Sequence, residues 1–253
     1  LSAGLSSATG HWSSASYRAT FGAASLIVLA SLSRAALAFF ALGTLATVAW
    51  GFLDRFTLRR TAAVAAMAAG GIVVLAFTAD TIVARYNDEG NEASGETREV
   101  MNRAAQAMLE ASPVGIGWNG FGKAINRPYP YGNVIDDWNR ERGHRVDPHY
   151  AKGVVESHYW LLLAETGYLG FATYLIFITG IILRAGWLML RCRGRLAGAV
   201  AAGIVIAFSA TYVHSTLERV LTQTKNLALW LMLTGLIAAL WNQCSTRARN
   251  TQE

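Results

Sequence analysis

Long uncharged apolar stretches alternate with clusters of charge along this chain. Uncharged runs cover residues 35–53, 61–79, 166–183, 196–217 and 226–246. Each is close to the ~20 helical residues that cross a hydrocarbon core. A shorter run at 19–33 gains length if its helix begins near Ser13. The pattern predicts an all-α, polytopic transmembrane helix bundle of about six spans with one long external loop domain.

That loop is the polar segment 80–156, and Ser157-His158 follow it at the mouth of the next apolar run. Three regions are expected: 1–79, an N-terminal loop and three spans; 80–156, the external loop; and 157–253, three more spans and a tail. Within the loop, residues 97–112 place Met101, Ala104, Ala105, Met108 and Leu109 at helical spacing, with Ser94 and Thr97 as candidate N-caps. Arg98 falls on that apolar stripe, an unusual place for a charge, whereas Arg103 points to solvent. After Pro113 comes a glycine-rich turn, then a stretch without periodicity that reads as an irregular lid.

Charge orients the bundle. Arg55, Arg59, Arg60, Arg184, Arg191, Arg193, Arg195, Arg247 and Arg249 all fall on one side of a single topology, which marks that side as cytoplasmic. Arg34, the 80–156 segment and the 214–222 turn then share the opposite, outer side. The segment holds nine Lys/Arg against twelve Asp/Glu, so the net charge of +6 reflects inside anchoring rather than a basic external face. This excludes nucleic acid as a partner and leaves the lipid bilayer. Cys192 and Cys244 fall on the reducing side, so no disulfide framework is expected. The chain begins on Leu and reads as a fragment with upstream spans missing.

The run from Gly115 through Gly117 to Gly120 matches a dinucleotide fingerprint, with Asp136 beyond it, but it follows a helix and a proline rather than a strand. It reads instead as a turn seating the loop on the membrane helices. Asp136-Asp137, the acidic stretch 87–89 and the pair His144 and His149 lack metal-ligand spacing and read as solvated loop charge. No metal and no other cofactor is expected. Arg34 interrupts the apolar stretch 19–52, where a charge costs roughly 3 kcal/mol on insertion scales. Such a residue either serves function or turns two helices at the interface. His158 heads a span beside the lid, and an imidazole can take up a proton near neutral pH. Glu165 lies seven residues further on the same helical face. His214, Glu218 and Arg219, in the last outer turn, are secondary candidates with it.

Together these pieces resemble the C-terminal half of the O-antigen ligase and polymerase family, bacterial membrane glycosyltransferases acting on undecaprenyl-diphosphate-linked glycans. Three landmarks carry the resemblance, in order. Leu32-Ser33-Arg34-Ala35-Ala36-Leu37 is similar to the family's Ser-Arg at the start of a span. Arg98 with Pro113-Val114-Gly115-Ile116-Gly117 is similar to its arginine, helix and Pro-Gly-x-Gly turn. Glu156-Ser157-His158-Tyr159, continuing through Glu165-Thr166-Gly167-Tyr168-Leu169-Gly170, is similar to its His-Asn helix ending in Glu-x-Gly-x-x-Gly. Tyr159 departs from the family's usual Asn, which tilts the reading toward a polymerase of surface or exopolysaccharide.

The resemblance implies an inner-membrane enzyme with its site facing the periplasm. It implies a metal-independent, inverting transfer from an undecaprenyl-diphosphate-linked glycan to an acceptor glycan or lipid A-core. Arg34 and Arg98 would bind the diphosphate and His158 would activate the acceptor hydroxyl. Trp118, Tyr129, Tyr131 and Trp138 would be available to stack on sugars, and a flippase or chain-length regulator would be the protein partner. The competing class is a transporter or non-catalytic subunit of polysaccharide export, which would place ionisable groups inside the spans rather than at their outer edge.

Overall fold

The computed structural model describes residues 19–28, 34–54, 90–146 and 151–250, and among these every regular element is helical. In chain order they are α1 (Ala19–Val28), α2 (Arg34–Asp54), α3 (Gly90–Ala111), α4 (Phe121–Ala124), a 3-10 turn (Pro130–Gly132), α5 (Asn133–Glu141), α6 (His158–Arg191), α7 (Leu196–His214), a second 3-10 turn (Val220–Thr222) and α8 (Thr224–Asn250). Among the described residues three helices are long and apolar enough to cross a membrane: α6, α7 and the Thr224–Asn242 part of α8. α6 and the full α8 contain the expected runs 166–183 and 226–246, and α7 contains all but the last three residues of 196–217. Run 35–53 forms the 21-residue α2, 19–33 contributes the shorter α1, and 61–79 lies outside the described residues. The chain is a membrane protein.

Contacts divide it into two compact units: Leu1–Phe77 with Ile178–His214 and Thr224–Glu253, and Thr78–Phe177 with Ser215–Gln223. In the first, α7 buries Gly198, Ala201, Ala202 and Gly203, small residues that let neighbouring helices approach where lipid supplies no hydrophobic drive. α2 packs along α7, with the Phe39 ring stacked on His214 at 4.9 Å, and Phe208 stacks on Trp230 at 4.9 Å. Cys192 and Cys244 are free thiols, yet their sulfurs lie 2.6 Å apart, a meeting that their spacing gave no sign of. Burial, followed by the contact with Cys244, pushes the Cys192 thiol up to about 11.

The second unit is built on the stripe of α3. Ala104, Ala105 and Met108 are fully buried against Phe121, Ile125 and Val155 and against Leu161 and Ala164 of α6. The helix starts at Gly90, so Ser94 and Thr97 lie inside it and are not its N-caps. Ion pairs from Glu96 to Arg142 (2.6 Å) and Glu99 to Arg103 (2.5 Å) fasten this polar first part.

After the expected glycine-rich turn, residues 121–141 are largely regular rather than an irregular lid. They form α4, a 3-10 turn and α5. The α5 pattern escaped detection because its buried face carries a charge: Asp136 meets Lys152 at 2.9 Å, the two side chains 7% and 10% exposed. Asp136 is therefore no solvated loop residue; its neighbour Asp137 is solvated but helical too, pairing with Arg140 at the surface. Asn126 completes the join, its Oδ1 accepting the Lys152 N–H at 2.8 Å and its Nδ2 donating to the Gly122 carbonyl at 2.7 Å.

Candidate functional site

A break inside α6 positions the candidate histidine. His158 Nε2 lies 3.1 Å from the Tyr174 hydroxyl, and the rings of Tyr159 and Phe171 meet at 6.1 Å. In a straight helix, rising ~1.5 Å per residue, these pairs would be ~24 and ~18 Å apart along the axis. The chain instead folds back at Gly167, whose φ of 65° and ψ of −170° are open to glycine and strained for other residues. A nine-residue arm, 158–166, returns alongside the start of a longer arm, Tyr168 onward.

Such an elbow strands backbone groups. The carbonyls of Ala164 and Glu165 lose the partners four residues on that a continuous helix would supply. The Pro113–Gly117 turn replaces them: the Ile116 N–H donates to Ala164 at 2.9 Å and the Gly117 N–H to Glu165 at 3.0 Å. In return, the Tyr168 N–H donates to the Pro113 carbonyl at 3.1 Å. The approach is so close that a Cβ on Gly115 would sit 2.4 Å from the Glu165 oxygen, and one on Gly167 2.2 Å from the Pro113 oxygen. The two glycine motifs read from the sequence are thus halves of one joint. Glu165 belongs to it as well, its buried carboxylate accepting the Phe121 N–H at 3.2 Å.

His158 heads the short arm at 6% exposure, with its own N–H donated to the Ser215 carbonyl at 3.0 Å. Among the described residues its buried Nδ1 has no partner. Beside it opens a cleft of about 320 Å³, lined by Arg98, Glu156, Glu218, Arg219, Val220, Thr222 and Gln223. That size suits a small charged headgroup. Arg98 Nε donates to Glu156 Oε2, both side chains about half exposed. This explains an arginine on an apolar stripe: it sits at the end of the stripe and reaches the residue two before His158.

The structure therefore brings Arg98, Glu218 and Arg219 together. His158 is tied to the cleft through Glu156-Ser157 but is buried and does not line it. Glu165 sits in the joint, and His214 stacks on Phe39 in the other unit. Arg34 heads α2, and its side chain lies outside the described residues. Of the aromatic candidates, Trp118 is 76% and Tyr129 40% exposed, whereas Tyr131 packs on the core and Trp138 lies under the Arg142 guanidinium at 4.3 Å. Sequence reasoning missed Glu156, Thr222, Gln223 and Tyr174 as members of the site. The spacing of His158 and Tyr174 makes sense only once the helix is folded back, and the glycines at 167 and 170 were the available sign of that.

A family model described as O-antigen ligase matches residues 19–175, more than half of the chain and inclusive of α1, α3 and the whole joint up to Tyr174. No curated protein and no solved structure matches the chain.

Proposed function

Because the chain belongs to the O-antigen ligase family, we propose that it is a membrane glycosyltransferase that moves a glycan from an undecaprenyl-diphosphate donor to an acceptor hydroxyl. The observation carrying this reading is the shared cleft of Arg98, Glu218 and Arg219, with Glu156 leading directly into His158. The site faces the periplasm at the inner membrane, and the acceptor is a growing glycan or lipid A-core. Tyr159, standing where the family commonly has Asn, tilts the reading toward the growing glycan. A flippase or chain-length regulator is the partner that would deliver or measure that glycan.

In the proposed step the acceptor oxygen attacks the anomeric carbon, its proton passes to His158, and the bond from that carbon to the diphosphate oxygen breaks with inversion. Tyr174 orients the imidazole through Nε2, and Nδ1 is left for the proton in the tautomer in which Nε2–H donates to the Tyr174 oxygen. Arg98 and Arg219 hold the departing diphosphate through paired N–H donors, with no divalent cation required. Glu218 positions Arg219 and the acceptor, Glu165 holds Phe121 of α4 against the elbow, and His214 holds α2 on α7. Glu156 occupies Arg98 until the donor arrives. A half-exposed ion pair of this kind is worth roughly 0.2–1 kcal/mol, so a diphosphate can displace it. Its release loosens the chain around the buried histidine.

The test is turnover of a lipid-diphosphate-linked glycan by the chain in vesicles, with EDTA present throughout. Arg98→Ala lowers kcat by ~100- to 1000-fold, as for loss of one charge-stabilising donor. Arg98→Lys fails to restore it, because a lysine lacks the planar fork. Glu156→Gln lowers the donor KM by freeing Arg98. Full activity in Arg98→Ala, or activity lost in EDTA and regained with magnesium, would sink the proposal.

A further inference from the structure

We infer that the Pro113–Gly117 turn and Trp118 form a wedge inserted into the membrane at the boundary between headgroups and acyl chains, and that the partner of this surface is the lipid bilayer itself. Residues 111–122 carry no charged side chain, alone in length among the stretches of a segment otherwise dense in charge. The turn is bonded to the elbow of α6 by the three backbone hydrogen bonds described above, so it sits at the depth where the long arm begins. Within this turn Val114 is 75% and Trp118 76% exposed.

What covers such a surface is indicated by its continuation. On the long arm, Leu169, Ile176, Leu183 and Leu190 recur every seven residues and so share one helical face. They are 76%, 74%, 66% and 64% exposed. An apolar face of that length on a helix able to cross a membrane is a lipid-facing one. Val114 and Trp118 cap its polar end, where an indole, apolar in body with one N–H, is best placed at the membrane boundary. Because Gly115 and Gly167 leave no space for sliding, the wedge fixes the depth of the elbow, and with it the height of the short arm that carries His158.

The test uses the whole chain in nanodiscs of phosphatidylethanolamine and phosphatidylglycerol, comparing the natural protein with Trp118→Phe. The fluorescence lost in the variant should be a blue-shifted component, quenched by lipids brominated near the headgroup and untouched by aqueous iodide. A second measurement places a nitroxide on Val114→Cys in a Cys192→Ser/Cys244→Ser background. Its accessibility ratio of oxygen to a nickel chelate should be several-fold higher than that of a nitroxide on Tyr129→Cys, an exposed site in the same segment. Iodide quenching of Trp118, or equal ratios at 114 and 129, would place the turn in water and overturn the inference. Shielding of both probes from lipid and from water would mean that protein covers the turn, and would overturn it equally.

Discussion

At the scale of single residues, Gly167 shows how much one backbone conformation can decide. Its positive φ makes the elbow, and the lack of a Cβ lets the Pro113 carbonyl approach the bend. Gly167→Ala is expected to destabilise the protein by about 1–3 kcal/mol from backbone strain, with the collision at Pro113 adding to it. Gly180→Ala, where a Cβ meets nothing within 4 Å, should leave the melting temperature unchanged or slightly raised. Thermal unfolding of the two variants in the same detergent checks the difference, and equal melting would refute the joint. These glycines were legible in the sequence as motifs. Their partnership was not, because the Pro113–Gly117 turn and the Glu165–Gly170 run are far apart in the chain and each alone has an ordinary reading as a turn or a thinned helix.

At the scale of elements, periodicity was a good guide wherever burial and apolarity coincide. The α3 stripe was read residue by residue, since Ala104, Ala105, Met108 and Leu109 are both apolar and buried. It failed for α5, where the residue turned inward is Asp136. A carboxylate can be buried there because Lys152 meets it and Asn126 holds the Lys152 backbone. Removing one partner of a buried pair leaves the other charge uncompensated, on the order of 3–5 kcal/mol. Asp136→Leu alone should therefore lower stability by that order, and Asp136→Leu with Lys152→Met should recover most of it. A double-mutant cycle by chemical denaturation measures the coupling, and simple additivity of the two losses would show that the pair is not joined. The start of α3 differs from the expectation for a related reason: its first part is held by surface ion pairs, which leave no apolar trace in the sequence.

At the scale of the whole molecule, charge clusters and apolar runs disclosed a membrane protein with a polar insertion, and three of the expected runs lie in helices able to span a bilayer. The residues of the candidate site were legible in part. Arg98 and Arg219 come together across more than a hundred positions, which no local pattern encodes, and Glu156 was visible only as the neighbour of a histidine. The cleft they form has a consequence for how a donor finds it. Two guanidinium groups and two carboxylates line it, so its formal charges cancel. A neutral mouth casts little field into the aqueous phase, and what field remains fades over a Debye length of ~8 Å at physiological salt. Capture of the proposed lipid-borne donor is then governed by sideways travel within the bilayer, not by attraction from the water. Raising salt from low to several times physiological strength should leave kcat/KM nearly constant at fixed donor density per lipid, while diluting the donor within the membrane should lower the rate in proportion.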